Sequence, residues 1–330
     1  MTTLGHVNYS MHLSKVVIVV LLSLFSSTTY AEQLLFNKTL KEDKYLFEYV
    51  WLDRFDNEQT LSFELPLTTV NDTYRHFKAL RPSLLRAHSL KKLKQAAAQI
   101  NPREGRVTIK PTLNGVEFGF VGYDQEWMNN KSQEFSKLYE QSLQEYLRQE
   151  YYIEFNSSEY LGANKSTKVY KPDHKRFAME SAELLTPIVD AIKQKMPNTT
   201  VRNIARFILS WLQTIPYDTI ESRAETNGAG FLPPARVIAN NIGDCDSKVT
   251  LMAAIVKALF PRLNIAIIYV PQHALIAFHM SHLENDYKID IEGLSYTLAE
   301  PVGPALLDFS EVSERSKRFI ESGFYSVELL

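Results

Sequence analysis

The chain of 330 residues holds one thiol, Cys245, set between two acids in "NNIGDCDSKVTLMAAIVKAL" (240–259). Val249, Met252, Ala253, Val256, Leu259 and Phe260 recur at three- and four-residue steps, so a helix starts close to Cys245. Asp244 is then its natural N-cap. A helix start carries unpaired N–H groups and partial positive charge. Both favour a thiolate, the form in which cysteine is a nucleophile. Asp244 and Asp246 act in the opposite sense. A reactive thiol here therefore needs a further cation, and histidine is the side chain that supplies one near neutral pH. Without that partner, Cys245 is a small, inert, buried hydrophobe.

Three histidines follow the helix: His273, His279 and His282. The segments "IAIIYVP" (265–271) and "HALIAFHM" (273–280) read as consecutive buried strands. His273 opens the second, and His279 lies about 20 Å further along at roughly 3.3 Å per residue, so the thiol meets only one of them. A cysteine at a helix start and a histidine at a strand start are held by two rigid elements. That is what a Cys–His pair for nucleophilic catalysis requires.

The run "GDCDSK", then "PQHALIAF", then "YTLAEPVG" resembles the transglutaminase-like branch of the papain-type cysteine enzymes. The upstream "IARFILSWLQTIPYD" and "PPARVIANNIGDC" resemble the lead-in of that family, so the likeness covers roughly residues 200 to 305. It implies Cys245 as nucleophile, His273 as general base and then acid, and Glu300 as the acid that orients the imidazole. Many relatives carry aspartate in that last place. The resemblance also implies an α+β fold, with helices packed on an antiparallel sheet, and a mechanism that needs no metal or cofactor. A simple meander of three strands (273–280, 287–292, 295–300) would leave Glu300 at the far end from His273 and bring Asp290 or Glu292 nearer. For the oxyanion, the Cys245 N–H is the expected donor, with Asn240 or Asn241 as side-chain candidates.

Around this unit, "YLFEYVWL" (45–52), "TLSFELPL" (60–67) and "YYIEF" (151–155) read as strands, and Asn114-Gly115 as a hairpin turn between "RVTIKPTL" and "VEFGFVGY". Phe135, Leu138, Tyr139, Leu143, Tyr146 and Leu147 mark an amphipathic helix, and Ile204, Phe207, Ile208, Trp211 and Leu212 another, which Pro216 stops. The polar stretch 156–174 reads as a linker. The expected organisation is a signal peptide over 1–31, a mixed strand and helix domain over 32–155, the linker, and a catalytic domain over 175–330.

Hydrophobic residues make up 45% of the chain and the formal net charge is −2, which suits packed cores and excludes a chain-wide nucleic-acid binder. Lys15 followed by an apolar run to Phe25, then Thr29 and Ala31, has the grammar of a signal peptide cut after Ala31. A disulfide-free exported chain reads as bacterial and periplasmic, with no stable membrane span once the leader is removed. Residues 75–110 carry ten Lys/Arg against one acid, Glu104. They form either a solvated helix face or a patch that meets an anionic cell-envelope component. The resulting expectation is an exported cysteine peptidase or amidase acting on a protein or peptide. The alternatives are a cross-linking acyltransferase and a binding module on the same fold.

Overall fold

The computed structural model describes residues 31–112, 115–156, 168–220 and 230–330. The fold is mixed α+β with antiparallel sheets. It opens with a three-stranded sheet, β1 (Glu32–Lys41), β2 (Lys44–Leu52) and β3 (Glu58–Pro66), in that spatial order. The alternation in β2 and β3 turns Phe47, Tyr49, Trp51, Leu61, Phe63 and Leu65 to one buried face. The first of these strands carries little apolar alternation, so nothing in its own residues announced it. After the short α1 (Leu67–Asn71), α2 (Pro82–Ala98) and α3 (Gln125–Gln149) pack on the hairpin β4 (Gly105–Pro111) and β5 (Val116–Gly122) around Leu93, Val107 and Phe135. Gly105 and Gly122 are paired in that hairpin. A Cβ on either would stand 2.4 Å from the Trp127 ring, which lies over them. The expected turn residue Asn114 is outside the described residues.

Of the described residues of the expected linker, Asn156 ends β6 (Tyr152–Asn156) and Lys168–Pro172 form β7, which pairs with it, and His174 begins a helix rather than ending a loop. Residues 157–167 of that linker, and the signal peptide before Ala31, are outside the described residues. Then follow α4 (His174–Leu184), α5 (Thr186–Lys195), α6 (Val201–Thr214), α7 (Pro234–Asn240) and α8 (Cys245–Leu259). A five-stranded antiparallel sheet completes the fold. Its strands are β8 (Ile265–Val270), β9 (His273–Phe278), β10 (Lys288–Ile291), β11 (Leu294–Ala299) and β12 (Ser326–Leu329), in the order β10-β11-β9-β8-β12, with α9 (Glu314–Glu321) before the last strand.

One apolar core crosses the boundary expected between residues 32–155 and 175–330. Trp211 of α6 meets Tyr49 edge-on at 5.0 Å and Phe63 at 6.1 Å, and Trp51 lies 5.2 Å from Phe207. The indole of Trp51 donates to Ser210 Oγ at 3.1 Å, and Tyr49 Oη donates to the Ile238 carbonyl at 2.9 Å. The β1–β3 sheet therefore buries its aromatic face on the helices that carry the thiol. Smaller cores lie beside it: one within the α2–β4–β5–α3 unit, one around Phe77, Leu147, Phe177 and Phe231, and one on the other face of the five-stranded sheet around Ile268, Leu275 and Leu298.

This shared core makes a prediction. Trp211→Ala should cost about 3–5 kcal/mol. Unfolding followed by a probe in β1–β3 and by another in β8–β11 should shift together to lower denaturant. Two separated transitions would show two independent cores instead.

Candidate active site

Helix α8 presents Cys245 as its first residue. Asp244 caps it, accepting the Ser247 N–H at 2.9 Å, and the Ser247 hydroxyl accepts the Leu232 N–H at 2.8 Å, which ties the preceding loop to the cap. Gly243 forms a parallel bridge to Tyr217. Lys248 is fully buried and donates its ammonium to the Ile215 carbonyl. Burial first, against the pull of Asp244 and Cys245, brings it down to about 8. The thiol is half-buried, and its Sγ lies 3.7 Å from Asp246 Oδ1.

The strand order overturns the meander. β10 is an edge strand, and β11 lies directly beside β9. Ala299 pairs with Ile276, and the strands are antiparallel, so the chain leaving β11 passes the start of β9. Glu300 Oε1 consequently sits 2.8 Å from His273 Nε2. Asp290 pairs with Ser295, whose carbonyl meets His279 at the other end of β9. Glu292, with φ 51°, and Gly293, with φ 81°, form the two-residue turn of the β10–β11 hairpin. Neither Asp290 nor Glu292 approaches His273. The "SHLEND" loop makes this order possible. Arg202 grips both oxygens of Asp286 and so carries the chain past β11 to the sheet edge.

Glu300 is 6% exposed, and its contacts explain how a buried carboxylate stays charged. Burial raises its pKa, but the His273 hydrogen bond and charge, the Ser313 N–H at 2.9 Å and the Ser313 hydroxyl at 3.2 Å outweigh it and leave it below the usual value. Its backbone carbonyl accepts the Gln213 amide at 2.9 Å, which fixes the end of β11 to α6. An ionised carboxylate only accepts, so the Glu300 contact assigns the proton of His273 to Nε2 and leaves Nδ1 as the bare nitrogen.

The thiol itself departs from the simple helix-start argument. Burial first, then the charges of Asp246 and Asp244, push its pKa well up. The N–H groups of Ala274 and Asp246 work the other way and do not prevail. Ala274, whose N–H acts on the thiol, is the residue that follows His273. The helix terminus alone therefore does not make a thiolate here, and a cationic partner is required.

Asn241 does not serve as an oxyanion donor. It caps α7 in a left-handed conformation, and its amide is paired with Gln33 of β1 at 2.6 and 3.1 Å. Three neighbours escaped the sequence reading. Tyr217 is about half exposed, and its hydroxyl pKa is raised by burial first and then by Cys245 and Asp244; the "PYD" triplet marked its place only as a helix stop. Ser313 lies 13 residues beyond the acid it steadies, at no motif spacing. His174 sat in a stretch that reads as linker. In the basic segment, Lys91 and Lys94 are exposed, while Lys92 pairs with Glu145 at 3.2 Å. Among the described residues, no group of three or more His, Cys, Asp or Glu is arranged to hold a metal, and no helix is long and apolar enough to cross a membrane. No protein-family model, curated protein or solved structure matches this chain.

Two substitutions separate the roles of the acids. Glu300→Gln should cut turnover about a hundredfold or more, because it removes the charge that fixes the tautomer of His273. Asp290→Asn should leave turnover unchanged. Glu300 also sets a pH dependence. Its folded pKa is lowered, so its stabilisation is complete above the unfolded value, near 4.3, and is lost as the pH falls through the folded value. Glu300→Gln should flatten that acid limb in thermal melts from pH 5 downward. An unchanged limb, or a turnover loss with Asp290→Asn in place of Glu300→Gln, would contradict the assignment.

Proposed function

We propose that the protein is a cysteine hydrolase of the transglutaminase-like type, cleaving amide bonds through an acyl-enzyme on Cys245. The observation that carries this reading is the bond between His273 Nε2 and a buried, ionised Glu300, with the N–H of Ala274, the very next residue of the same strand, acting on the Cys245 thiol. With Nε2–H committed to Glu300, Nδ1 takes the thiol proton. The thiolate attacks the substrate carbonyl carbon, and the charge on the carbonyl oxygen falls to the Cys245 N–H. As the first residue of α8, Cys245 has no acceptor for that group within the helix. The tetrahedral species collapses, the C–N bond breaks, and His273 Nδ1–H protonates the departing amine. Water, activated by the same nitrogen, adds to the thioester and releases the acid. The Cys245 sulfur regains its proton.

The substrate class is a protein or peptide amide. The leader read over residues 1–31 supports a periplasmic reaction, where the exposed cations Lys91, Lys94, Arg103 and Arg106 are available to an anionic envelope component. The cycle uses no metal and no organic cofactor.

The pairing of thiol and imidazole is tested by labelling. Iodoacetamide should modify Cys245 in the folded protein at a rate that persists well below pH 8, and His273→Ala should move the labelling profile up to that of an unassisted thiol. Labelling that waits for denaturation, or a profile that His273→Ala does not move, would return Cys245 to an inert buried role.

A further inference from the structure

A second histidine, unused by the mechanism above, stands next to Asp246, the other neighbour of the thiol. His174 opens α4, is 1% exposed, and lies 4.8 Å from the Phe231 ring. Its protonation follows from its partners. Lys171 donates to Glu328 at 2.7 Å and to Tyr269 Oη at 3.1 Å. Tyr269 gives its one proton to Glu328 at 2.6 Å. The phenol oxygen can then only accept from His174 Nδ1, which stands 2.7 Å away, so Nδ1 carries a proton. Burial first, and the charge of Lys171 second, hold the imidazole pKa far below its ordinary value. The ring is neutral, and Nε2 is a bare lone pair.

That lone pair is buried and has no hydrogen-bond partner among the described residues. It faces Asp246 Oδ2 at 3.9 Å, about 1 Å beyond hydrogen-bond length. An ionised Asp246 would set acceptor against acceptor, whereas a protonated one offers the donor that Nε2 lacks. The charged and titratable groups around the pair are Lys171 on β7, Asp173 capping α4, Tyr269 on β8, His273 on β9, Glu328 on β12, and Asp244 and Cys245 at the start of α8. Lys171 lowers the Asp246 pKa, and Glu328 opposes it more weakly. The Asp246 side chain is about one-third exposed; its partial burial is the first of the forces on the carboxyl and raises its pKa, against Lys171, the thiol contact and His273.

We propose that His174 is a positioning residue that keeps Asp246 protonated by offering its bare Nε2 to the Oδ2 proton, so that the carboxyl beside Cys245 is uncharged when the thiol yields its proton to His273. This rests on the reading of Cys245 as nucleophile. It removes the largest charge opposing the thiolate. The proton on Asp246 stays in place throughout, and the only proton that moves passes from Sγ to His273 Nδ1.

Two measurements on the full chain test it. Infrared difference spectra between the native protein and Asp246→Asn at pH 7 should contain the carbonyl stretch of a carboxylic acid, shifted in heavy water. A carboxylate signature alone would overturn the proposal. That readout does not depend on catalysis, so its failure is distinct from failure of the Cys–His reading. Separately, His174→Phe should move the midpoint of iodoacetamide labelling at Cys245 up by about one pH unit or more, since it leaves a charge close to the sulfur. The double variant His174→Phe with Asp246→Asn should return the midpoint. An unmoved midpoint in a folded His174→Phe, or a double variant that stays shifted, would overturn the proposal. If circular dichroism shows His174→Phe unfolded, the infrared comparison decides.

Discussion

Helix α8 is enclosed from Ser247 to Val256, and it reaches solvent only at its ends. That enclosure fixes the position of Cys245. A helix that is buried all round has no face to turn outward, so it can neither roll nor slide without opening the core. The aromatic face of β1–β3 closes over α6, and α4, α7 and β9 close over α8 itself. Distant residues of the first sheet thus govern the rigidity of a thiol they never touch. A Cys–His pair loses its worth over displacements of about 1 Å, so a scaffold without slack is what this chemistry needs.

Enclosure also sets an electrostatic problem that the surroundings of α8 must answer. Three carboxyls, a lysine, a thiol and two histidines stand at or near the start of one buried helix. Two of these carboxyls, Asp244 and Asp246, are pushed toward neutrality, and Lys248 is drawn down toward it. Glu300 alone among the carboxyls is held charged, because it has the imidazole on one side and two donors from Ser313 on the other. The result is a region where several groups have their charge weakened, while Glu300 keeps its charge behind His273. In a poorly screened interior that charge is worth more than it is in water. On the proposed reading of Cys245 as nucleophile, the thiol, raised by its own burial, ionises toward the imidazole that this charge supports.

Much of this was legible from residues alone, for a physical reason. Period-2 alternation at Phe47, Tyr49 and Trp51, and three- to four-residue steps at Val249, Met252 and Val256, are local properties, and β2 and α8 stand where those patterns put them. The start of α8 at Cys245 and of β9 at His273 likewise follows from a cap and a turn. The neighbour of β9 did not follow, because strand order depends on where a connecting loop is held. Here one Arg202–Asp286 fork decides it. The seating of β1–β3 on α6 was equally invisible, since both faces are ordinary apolar stripes until they meet. His174 was hidden by composition. A polar stretch reads as linker, and only the placement of Tyr269 and Glu328 shows that its final residue is buried.

The central claim is that Cys245 carries the acyl group in turnover. It is tested most directly by mixing the full chain with an activated peptide acyl donor, quenching in acid and mapping the adduct by mass spectrometry. The acyl mass should appear on the peptide containing Cys245, decay on a longer incubation before quenching, and be absent in His273→Ala. An acyl group on any other residue, or none while the donor is consumed, would contradict the account.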